Sequence, residues 1–426
     1  MSTSDRVLIT TTKGKQEGTL MPSPDEETVV LKLDNGYNVG FEKKTIKQIK
    51  TLQKISPGES PKISITSPKK GLKNVAVLHT GGTLASKVSY QTGGVVAKFT
   101  PEELIAMFPE LPEIVNVTPR LVRNMFSEDI NFHHYNLLAE EVAKEIKNNI
   151  DGIIITHGTD TLHYTAAALA FSLEHLSIPV LVVGAQRSSD RGSSDAGLNL
   201  LSAAHFIAKS NFTGVAICMH ETTDDLTGII LPATKTRKMH TSRRDAFKAI
   251  NSQPWARVSR SGEVTIISKF HDVPKAPLAI KLFNPDLKIG FLKSHPNLQK
   301  EELLAYKSFD GLVLEGTGFG HFPINSIDEF TKDNTTILKA IESLAKKCPV
   351  VMSSQCLSGK IDLDVYETGR KLQTAGVLGN GSDMTPETTF IKLAWLLSNH
   401  PTEVKELITK NLRGELSERP LYLKEE

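Results

Sequence analysis

Two stretches decide the fold: Asn74-Val75-Ala76-Val77-Leu78-His79-Thr80-Gly81-Gly82-Thr83 and Gly152-Ile153-Ile154-Ile155-Thr156-His157-Gly158-Thr159-Asp160-Thr161. Each is a short apolar run, then a glycine turn with threonines, then a polar stretch or helical spacing. Apolar runs of this length read as buried strands of a parallel sheet. Open α/β sheets bind ligands beyond the carboxyl ends of their strands. Both turns are therefore expected to open into one crevice, each presenting a threonine hydroxyl. Glycine lets the backbone approach a small substrate closely, and backbone amides at such turns suit an anion or oxyanion.

Outward from these stretches the strand and helix patterns alternate. Val75 to His79, Gly152 to Thr156, Pro179 to Gly184 and Gly214 to His220 are strand-like, while Phe132 to Asn148 and Asp160 to Leu176 have helical spacing. That is the βαβ signature of a parallel sheet covered by helices. Ile266 to Lys281, with Pro274 and Pro277, reads as a connection. A second strand set follows at Lys288 to Ser294, Gly311 to Glu315 and Pro349 to Ser353. Thr385-Pro386-Glu387 is a helix start with proline in the first turn, running to Ser398, and another helix is expected from Pro401.

The beginning of the chain differs in kind. Arg6 to Thr11, Glu17 to Met21, Thr28 to Leu33, Tyr37 to Phe41 and Thr45 to Lys50 are short strand-like runs, with the hairpin signal Asp34-Asn35-Gly36 between two of them. Five short strands in so little chain predict a small β-barrel. Ser56-Pro57-Gly58-Glu59-Ser60-Pro61 and Ser67-Pro68-Lys69-Lys70-Gly71 then read as a linker. The expected division is a β-barrel module at 1–55, a linker at 56–72, a larger α/β domain at 73–265, a connection at 266–286 and a smaller α/β domain at 287–426.

Bulk properties exclude several classes. The 426 residues are 39% hydrophobic and 23% charged, which suits a folded globular chain. The net charge of +2 does not advertise nucleic-acid binding overall, and the Lys69-Lys70 pair reads as a solvated linker. Three cysteines, Cys218, Cys348 and Cys356, give no disulfide framework and point to a reducing compartment. No metal-ligand spacing, signal-peptide core or membrane-length apolar run occurs, so no metal site and no membrane association are expected and the cytoplasm is the default location. There is no GxxxxGK[ST] motif, so ATP use by this chain alone is not expected.

A threonine hydroxyl needs a base before it attacks a carbonyl. A lysine can serve if it is partly desolvated or its proton is relayed to a carboxylate. Thr159-Asp160 with a distant lysine could therefore do the work of a Ser-His-Asp triad. One such lysine lies in Leu231-Pro232-Ala233-Thr234-Lys235-Thr236. Spacing alone does not single it out.

In combination the motifs are specific. TGGTLAS, HGTDT, VGAQRSSDRGSSDAGLNLLSA and ATKTRKMHTSRRDAF, in this order, resemble the bacterial-type L-asparaginase family from about Val75 to the C-terminus. The resemblance implies an α/β, asparaginase-like two-domain parallel-sheet body that hydrolyses the side-chain amide of asparagine or glutamine. By motif match it assigns catalysis to Thr83, Thr159, Asp160 and Lys235. It places a mobile lid at Ser86 to Gly94, with Tyr90 as the lid tyrosine beside the substrate. It gives the substrate's α-carboxylate and α-amino groups to Ser127 and Glu128 in Ser127-Glu128-Asp129, with Asp160 sharing the ammonium. Glutamate replaces the glutamine of many free asparaginases here.

The β-rich module, the MFSED wording at Met125 to Asp129 and the tail GELSERPLYL resemble the D-subunit branch of that family, from archaeal glutamyl-tRNA(Gln) amidotransferases. Membership of that branch implies a glutaminase component of a ligase. Its ammonia goes to a partner E subunit, which uses ATP and Mg on Glu-tRNA(Gln); the tRNA is held mainly through that partner. The branch and family also imply a homodimer. The alternative is a free-standing cytoplasmic L-asparaginase/glutaminase with a regulatory N-terminal module; a non-catalytic amide sensor is a weaker third reading. Cys356, after a strand, is better read as a buried small hydrophobe than as a nucleophile. Gly316 to Gly320 is read as a loop near the site or a dimer contact, His79 and His157 as structural histidines, and Trp255 as core.

Overall fold

The computed structural model describes residues 5–12, 14–21, 23, 27–33, 38–53, 68–82, 86–88, 95–97, 108–187 and 194–418. Five strands open the chain: β1 (Arg6–Thr11), β2 (Gly14–Met21), β3 (Thr28–Lys32), β4 (Asn38–Glu42) and β5 (Ile46–Gln53). They form one antiparallel sheet in the order β4-β3-β2-β1-β5. Alternating Val7, Ile9, Val29 and Leu31 make its core, as the period of a strand dictates. The small N-terminal β-module expected from the sequence is thus built from five antiparallel strands. The Asp34-Asn35-Gly36 turn and Ser56 to Ser67 lie outside the described residues.

The larger α/β body contains β6 (Asn74–Gly81), the β7–β8 hairpin (Ser86–Val88, Val95–Ala97), α1 (Leu111–Ile114), β9 (Asn116–Met125), α2 (Phe132–Ile146) and β10 (Gly152–Thr156). There follow α3 (Leu162–Ser172), β11 (Leu173–Glu174), β12 (Pro179–Val183), α4 (Ala196–Lys209), β13 (Gly214–His220), β14 (Thr227–Pro232), β15 (Thr236–Lys238), β16 (Phe247–Ala249), β17 (Ala256–Ser259) and β18 (Val264–Ile266). Its eight-stranded sheet has the order β18-β17-β14-β13-β12-β10-β6-β9. The β13-β12-β10-β6-β9 part is parallel, as the alternating pattern requires. β14, β17 and β18 extend it antiparallel, an addition that the βαβ reading did not contain.

Burial on both faces explains the continuous apolar strands. Ile153 and Ile155 of β10 pack with Leu138 and Val142 of α2 and Leu169 of α3. Ile154, on the opposite face, packs with Leu200 and Phe206 of α4. α2 starts where the Asn131 side chain accepts the His133 backbone N–H, within a capping box.

After β19 (Ala279–Ile280) come β20 (Ile289–Lys293), α5 (Lys300–Leu304), β21 (Gly311–Gly316), α6 (Asn334–Ala345), β22 (Val350–Ser354), α7 (Glu367–Thr374) and α8 (Pro386–Asn399). β20, β21 and β22 make a parallel three-stranded sheet. Thr385 caps α8 by accepting the Thr388 N–H at 3.2 Å, with proline in the first turn as the sequence suggested. The segment after Pro401 holds only the single-turn helix Val404–Leu407. One apolar core crosses the two bodies: Ala167, Ala168 and Phe171 of α3 pack with Val313, Val351, Ile391 and Trp395. Trp255 meets Phe212 at a tilt and Phe270 edge to face at the edge of the larger core.

Candidate active site

Register brings the two glycine turns together. β6 and β10 pair in parallel with His79 opposite Thr156, so Thr80-Gly81-Gly82 and His157-Gly158-Thr159 leave the sheet side by side at its carboxyl edge. The approach is backbone to backbone. A Cβ on Gly82 would stand 2.4 Å from Cα and N of Gly158, and Gly82 has φ +79°. A Cβ on Gly81 would stand 2.3 Å from the Met125 carbonyl oxygen. A Cβ on Gly158 would meet the Ser127 Cβ at 2.8 Å and its Oγ at 2.9 Å. Three glycines thus let three chain segments share one small volume, which is the role the sequence assigned to the turns.

Hydrogen bonds hold that volume rigid. The Thr80 hydroxyl donates to the Thr156 carbonyl at 2.9 Å. The Thr161 hydroxyl donates to the Ser127 carbonyl at 2.6 Å, and the Ser127 Oγ accepts the Thr161 N–H at 3.4 Å. His157 is fully buried, with Nδ1 2.7 Å from the Gly158 carbonyl and Nε2 2.8 Å from the Thr165 hydroxyl. A carbonyl accepts only, so Nδ1 carries the proton and Nε2 accepts from Thr165. Burial pushes the His157 imidazole down to about 4, so it is neutral near pH 7. Burial likewise pushes His79 down to about 4, with Nδ1 2.6 Å from the Thr156 hydroxyl. Both histidines are scaffold, as their strand-end positions suggested.

At the mouth of these turns Lys238 bridges two side chains. Its Nζ donates to Thr159 Oγ1 at 2.9 Å and to Asp160 Oδ1 at 2.6 Å. The Lys238 side chain is 10% exposed and that of Asp160 is 66% exposed, so the ammonium is largely withdrawn from water while the carboxylate faces it. Thr159 itself is 7% exposed. The sequence brought Thr159, Asp160 and a lysine to one place, but the lysine is Lys238 and not Lys235.

The correction has a plain geometric cause. Pro232, at the end of β14, pairs with Ala216 near the start of β13, so the chain reaches Lys235 at the foot of the sheet. There Lys235 is buried and its Nζ donates to Asp383 Oδ2 at 2.6 Å. β15 then climbs back toward the carboxyl edge. Three residues of extended chain span roughly 10 Å, which carries Lys238 to Thr159. The sequence Lys235-Thr236-Arg237-Lys238 offers both lysines without separating them; Lys238 is the one that stands where β15 ends.

Of the other expected site residues, Ser127 is buried against Gly158, and Glu128 is exposed on the short 3-10 turn Ser127–Asp129 beside it. Thr83 and Tyr90 lie outside the described residues, as does most of the expected lid; its first three residues, Ser86–Val88, pair with Val95–Ala97 just past its far end. Cys356 is exposed, not the buried small hydrophobe expected, while Cys218 and Cys348 are buried. Among the described residues no group of three or more His, Cys, Asp or Glu could hold a metal ion, and no helix is long and apolar enough to cross a membrane.

Comparison with known proteins accords with this geometry. Residues 74–271 match the model of the asparaginase N-terminal domain, and residues 288–408 that of the glutaminase/asparaginase C-terminal domain. Residues 1–52 match the GatD N-terminal domain. The D subunit of glutamyl-tRNA(Gln) amidotransferase from Methanococcus maripaludis strain C5 is 39% identical, covering 98% of this chain and 99% of that protein. The corresponding D subunit from Pyrococcus furiosus is 40% identical over 95% of this chain and 92% of its own. Among solved structures, the thermostable L-asparaginase from Thermococcus kodakarensis superposes with a TM-score of 0.70 at 30% identity, covering 81% of this chain and 99% of that one. L-asparaginase I from Vibrio cholerae gives 0.70 at 28% identity, over 82% of this chain and 100% of its own. The chain belongs to the D-subunit family of glutamyl-tRNA(Gln) amidotransferases, built on the asparaginase fold, and the resemblance read from its motifs holds.

Proposed function

We propose that this member of the D-subunit family hydrolyses glutamine to glutamate and ammonia, and that its ammonia serves a partner subunit converting Glu-tRNA(Gln) to Gln-tRNA(Gln). The observation that carries the reading is the Lys238 ammonium set between Thr159 Oγ1 and Asp160 Oδ1. A lysine that has passed one proton to Asp160 or to water becomes a base 2.9 Å from the threonine hydroxyl. It then takes the Thr159 proton as Oγ1 attacks the amide carbon. The C–N bond breaks, the proton moves to the leaving nitrogen as ammonia departs, and water cleaves the acyl-threonine to glutamate. Thr83, on the neighbouring turn, is assigned the second hydroxyl at the substrate carbonyl. Ser127 and Glu128 are assigned the α-carboxylate and α-ammonium groups, with Asp160 sharing the latter and Tyr90 closing the lid.

ATP and Mg are assigned to the E-type partner and the reaction to the cytoplasm. A homodimer is assigned to the C-terminal body, where Ile327 is 81% exposed, Phe330 87% and Tyr366 55%. Large apolar side chains left this open mark contact surfaces. Light scattering at nanomolar concentration checks this: an active monomer is incompatible with it.

The free-standing asparaginase reading draws on the solved L-asparaginases, but their likeness covers 81–82% of this chain, and the N-terminal match at residues 1–52 favours the amidotransferase. The discriminating experiment measures glutamine and asparagine hydrolysis by the chain alone, with its E-type partner, and with partner plus misacylated Glu-tRNA(Gln). Glutamine turnover rising with each addition is expected. Equal rates in all three, or a strong preference for asparagine, would defeat the proposal.

A further inference from the structure

We propose that Lys235 is a positioning residue for Lys238, and that its buried ion pair with Asp383 fixes the register of the β15–β16 ribbon against the C-terminal body. The inference rests on the assignment of Lys238 to the threonine chemistry above.

β15 and β16 form a two-stranded ladder of three residue pairs: Thr236 with Ala249, Arg237 with Lys248, and Lys238 with Phe247. So short a ribbon specifies its own register weakly, and a slip of one residue turns every side chain to the other face. A slip here would take Lys238 off Thr159 and Asp160. What holds the foot of the ribbon comes largely from another part of the chain. Lys235 Nζ donates to Asp383 Oδ2 at 2.6 Å, and the two side chains are only 4% and 8% exposed. The other Asp383 oxygen accepts the Ser417 N–H at 3.0 Å, so the carboxylate is fixed from both sides. One residue earlier, the Thr234 carbonyl accepts the Thr388 hydroxyl at 2.8 Å, while the Thr234 hydroxyl donates to the Arg413 carbonyl at 3.2 Å. The ribbon is thus pinned below to the C-terminal body and meets the reacting hydroxyl above.

A buried ion pair is a poor source of net stability but a good source of specificity, because any misplacement leaves two buried charges unpaired. An apolar pair of similar volume fills the same space without fixing an atom-to-atom register. This separates positioning from packing. A misplacement of about 1 Å at reacting groups costs on the order of 10²-fold in rate.

The test uses the full-length chain with partner and misacylated tRNA present. Lys235→Met alone leaves Asp383 buried and unpaired and can unfold the protein, so the informative variant is Lys235→Met/Asp383→Leu, which removes both charges. Expected are a melting temperature close to the parent's, a kcat lowered roughly 10- to 100-fold, a KM changed little, and partial recovery in Lys235→Arg. In a Lys238→Met background the double change should lower the residual turnover no further, because its effect passes through Lys238. A folded double variant with parental kcat overturns the inference, as does a loss that adds in full to that of Lys238→Met. If Lys238→Met alone keeps parental turnover, the chemical assignment of Lys238 fails instead, so the two failures are told apart.

Discussion

Replacing Gly82 by alanine should separate the two turns of the site, and the structure gives the size of the displacement. The new Cβ would lie 2.4 Å from Cα and N of Gly158 and 3.0 Å from the His157 carbonyl carbon, whereas ordinary contact begins near 3.4 Å. The turns must therefore part by about 1 Å, because every atom met is backbone and cannot rotate aside. The positive φ of +79° adds strain of roughly 1–2 kcal/mol for a residue with a Cβ. Forcing packed groups apart adds about 1–3 kcal/mol, so a total stability loss of about 2–5 kcal/mol is expected. A displacement of about 1 Å between reacting groups corresponds to roughly 10²-fold in kcat, or about 2.7 kcal/mol of barrier. Gly71→Ala is the control: its φ of +91° is similar, but nothing lies within 4 Å of its Cβ, so it carries the strain without the clash. Ammonia release from glutamine and urea unfolding would be measured on both. A folded Gly82→Ala protein within threefold of parental turnover refutes the claim that the two turns work as one site. So does equal inactivation by Gly71→Ala.

Lys238→Met should lower glutamine turnover by about 10³-fold or more with a smaller change in KM; a raised KM at parental kcat would give the lysine to substrate binding instead. Thr83→Ala and Thr159→Val should each do the same to kcat while leaving the circular dichroism spectrum unchanged, and near-parental turnover in either removes that hydroxyl from the chemistry. Acid should weaken the fold through His79 and His157, both held near 4 by burial against a usual 6.5. Their folded values are depressed, so the unfolded chain takes protons first as pH falls from 6.5 toward 4, and stability is lost across that window; at pH 5 the loss is about 2 kcal/mol for each histidine. Urea midpoints at pH 7 and pH 5 check this, and a flat profile contradicts it. Cys356 is exposed while Cys218 and Cys348 are buried, so a thiol reagent should label one cysteine per folded chain; inactivation of a Cys356→Ser variant would revive the thiol as a catalytic group.

Local rules made the parallel core readable. Val75 to His79 and Gly152 to Thr156 are apolar on both faces because helices cover both, and that pattern survives with no knowledge of the partner strand. The glycine turns were readable for the same reason: a backbone-to-backbone approach needs the missing Cβ whatever surrounds it. Antiparallel β14, β17 and β18 were not legible as an extension of the sheet, since strand direction depends on a connection path and not on side-chain period. Residue type places Cys356 in the interior, yet it lies past the end of β22, where the continuous burial of the strand has stopped.

The lysine shows where local reading ends. Lys235 and Lys238 are three residues apart, and in extended chain an odd offset puts two side chains on opposite faces. Nothing within Thr234 to Lys238 says which face meets Thr159. That is decided by Asp383 and Thr388, far along the chain, which hold Lys235 and the Thr234 carbonyl and so leave the other face for Lys238. Each lysine also answers a different physical need. Lys235 is withdrawn from water on all sides and its counter-charge is equally buried, a pairing that can fix position but leaves no room for substrate. Lys238 is shielded too, but its carboxylate partner Asp160 is two-thirds exposed, so a proton arriving there can leave to solvent or to a departing group. Proton transfer needs that open end. The choice between the two lysines is thus a choice between a closed pair and an open one, and only the folded chain distinguishes them.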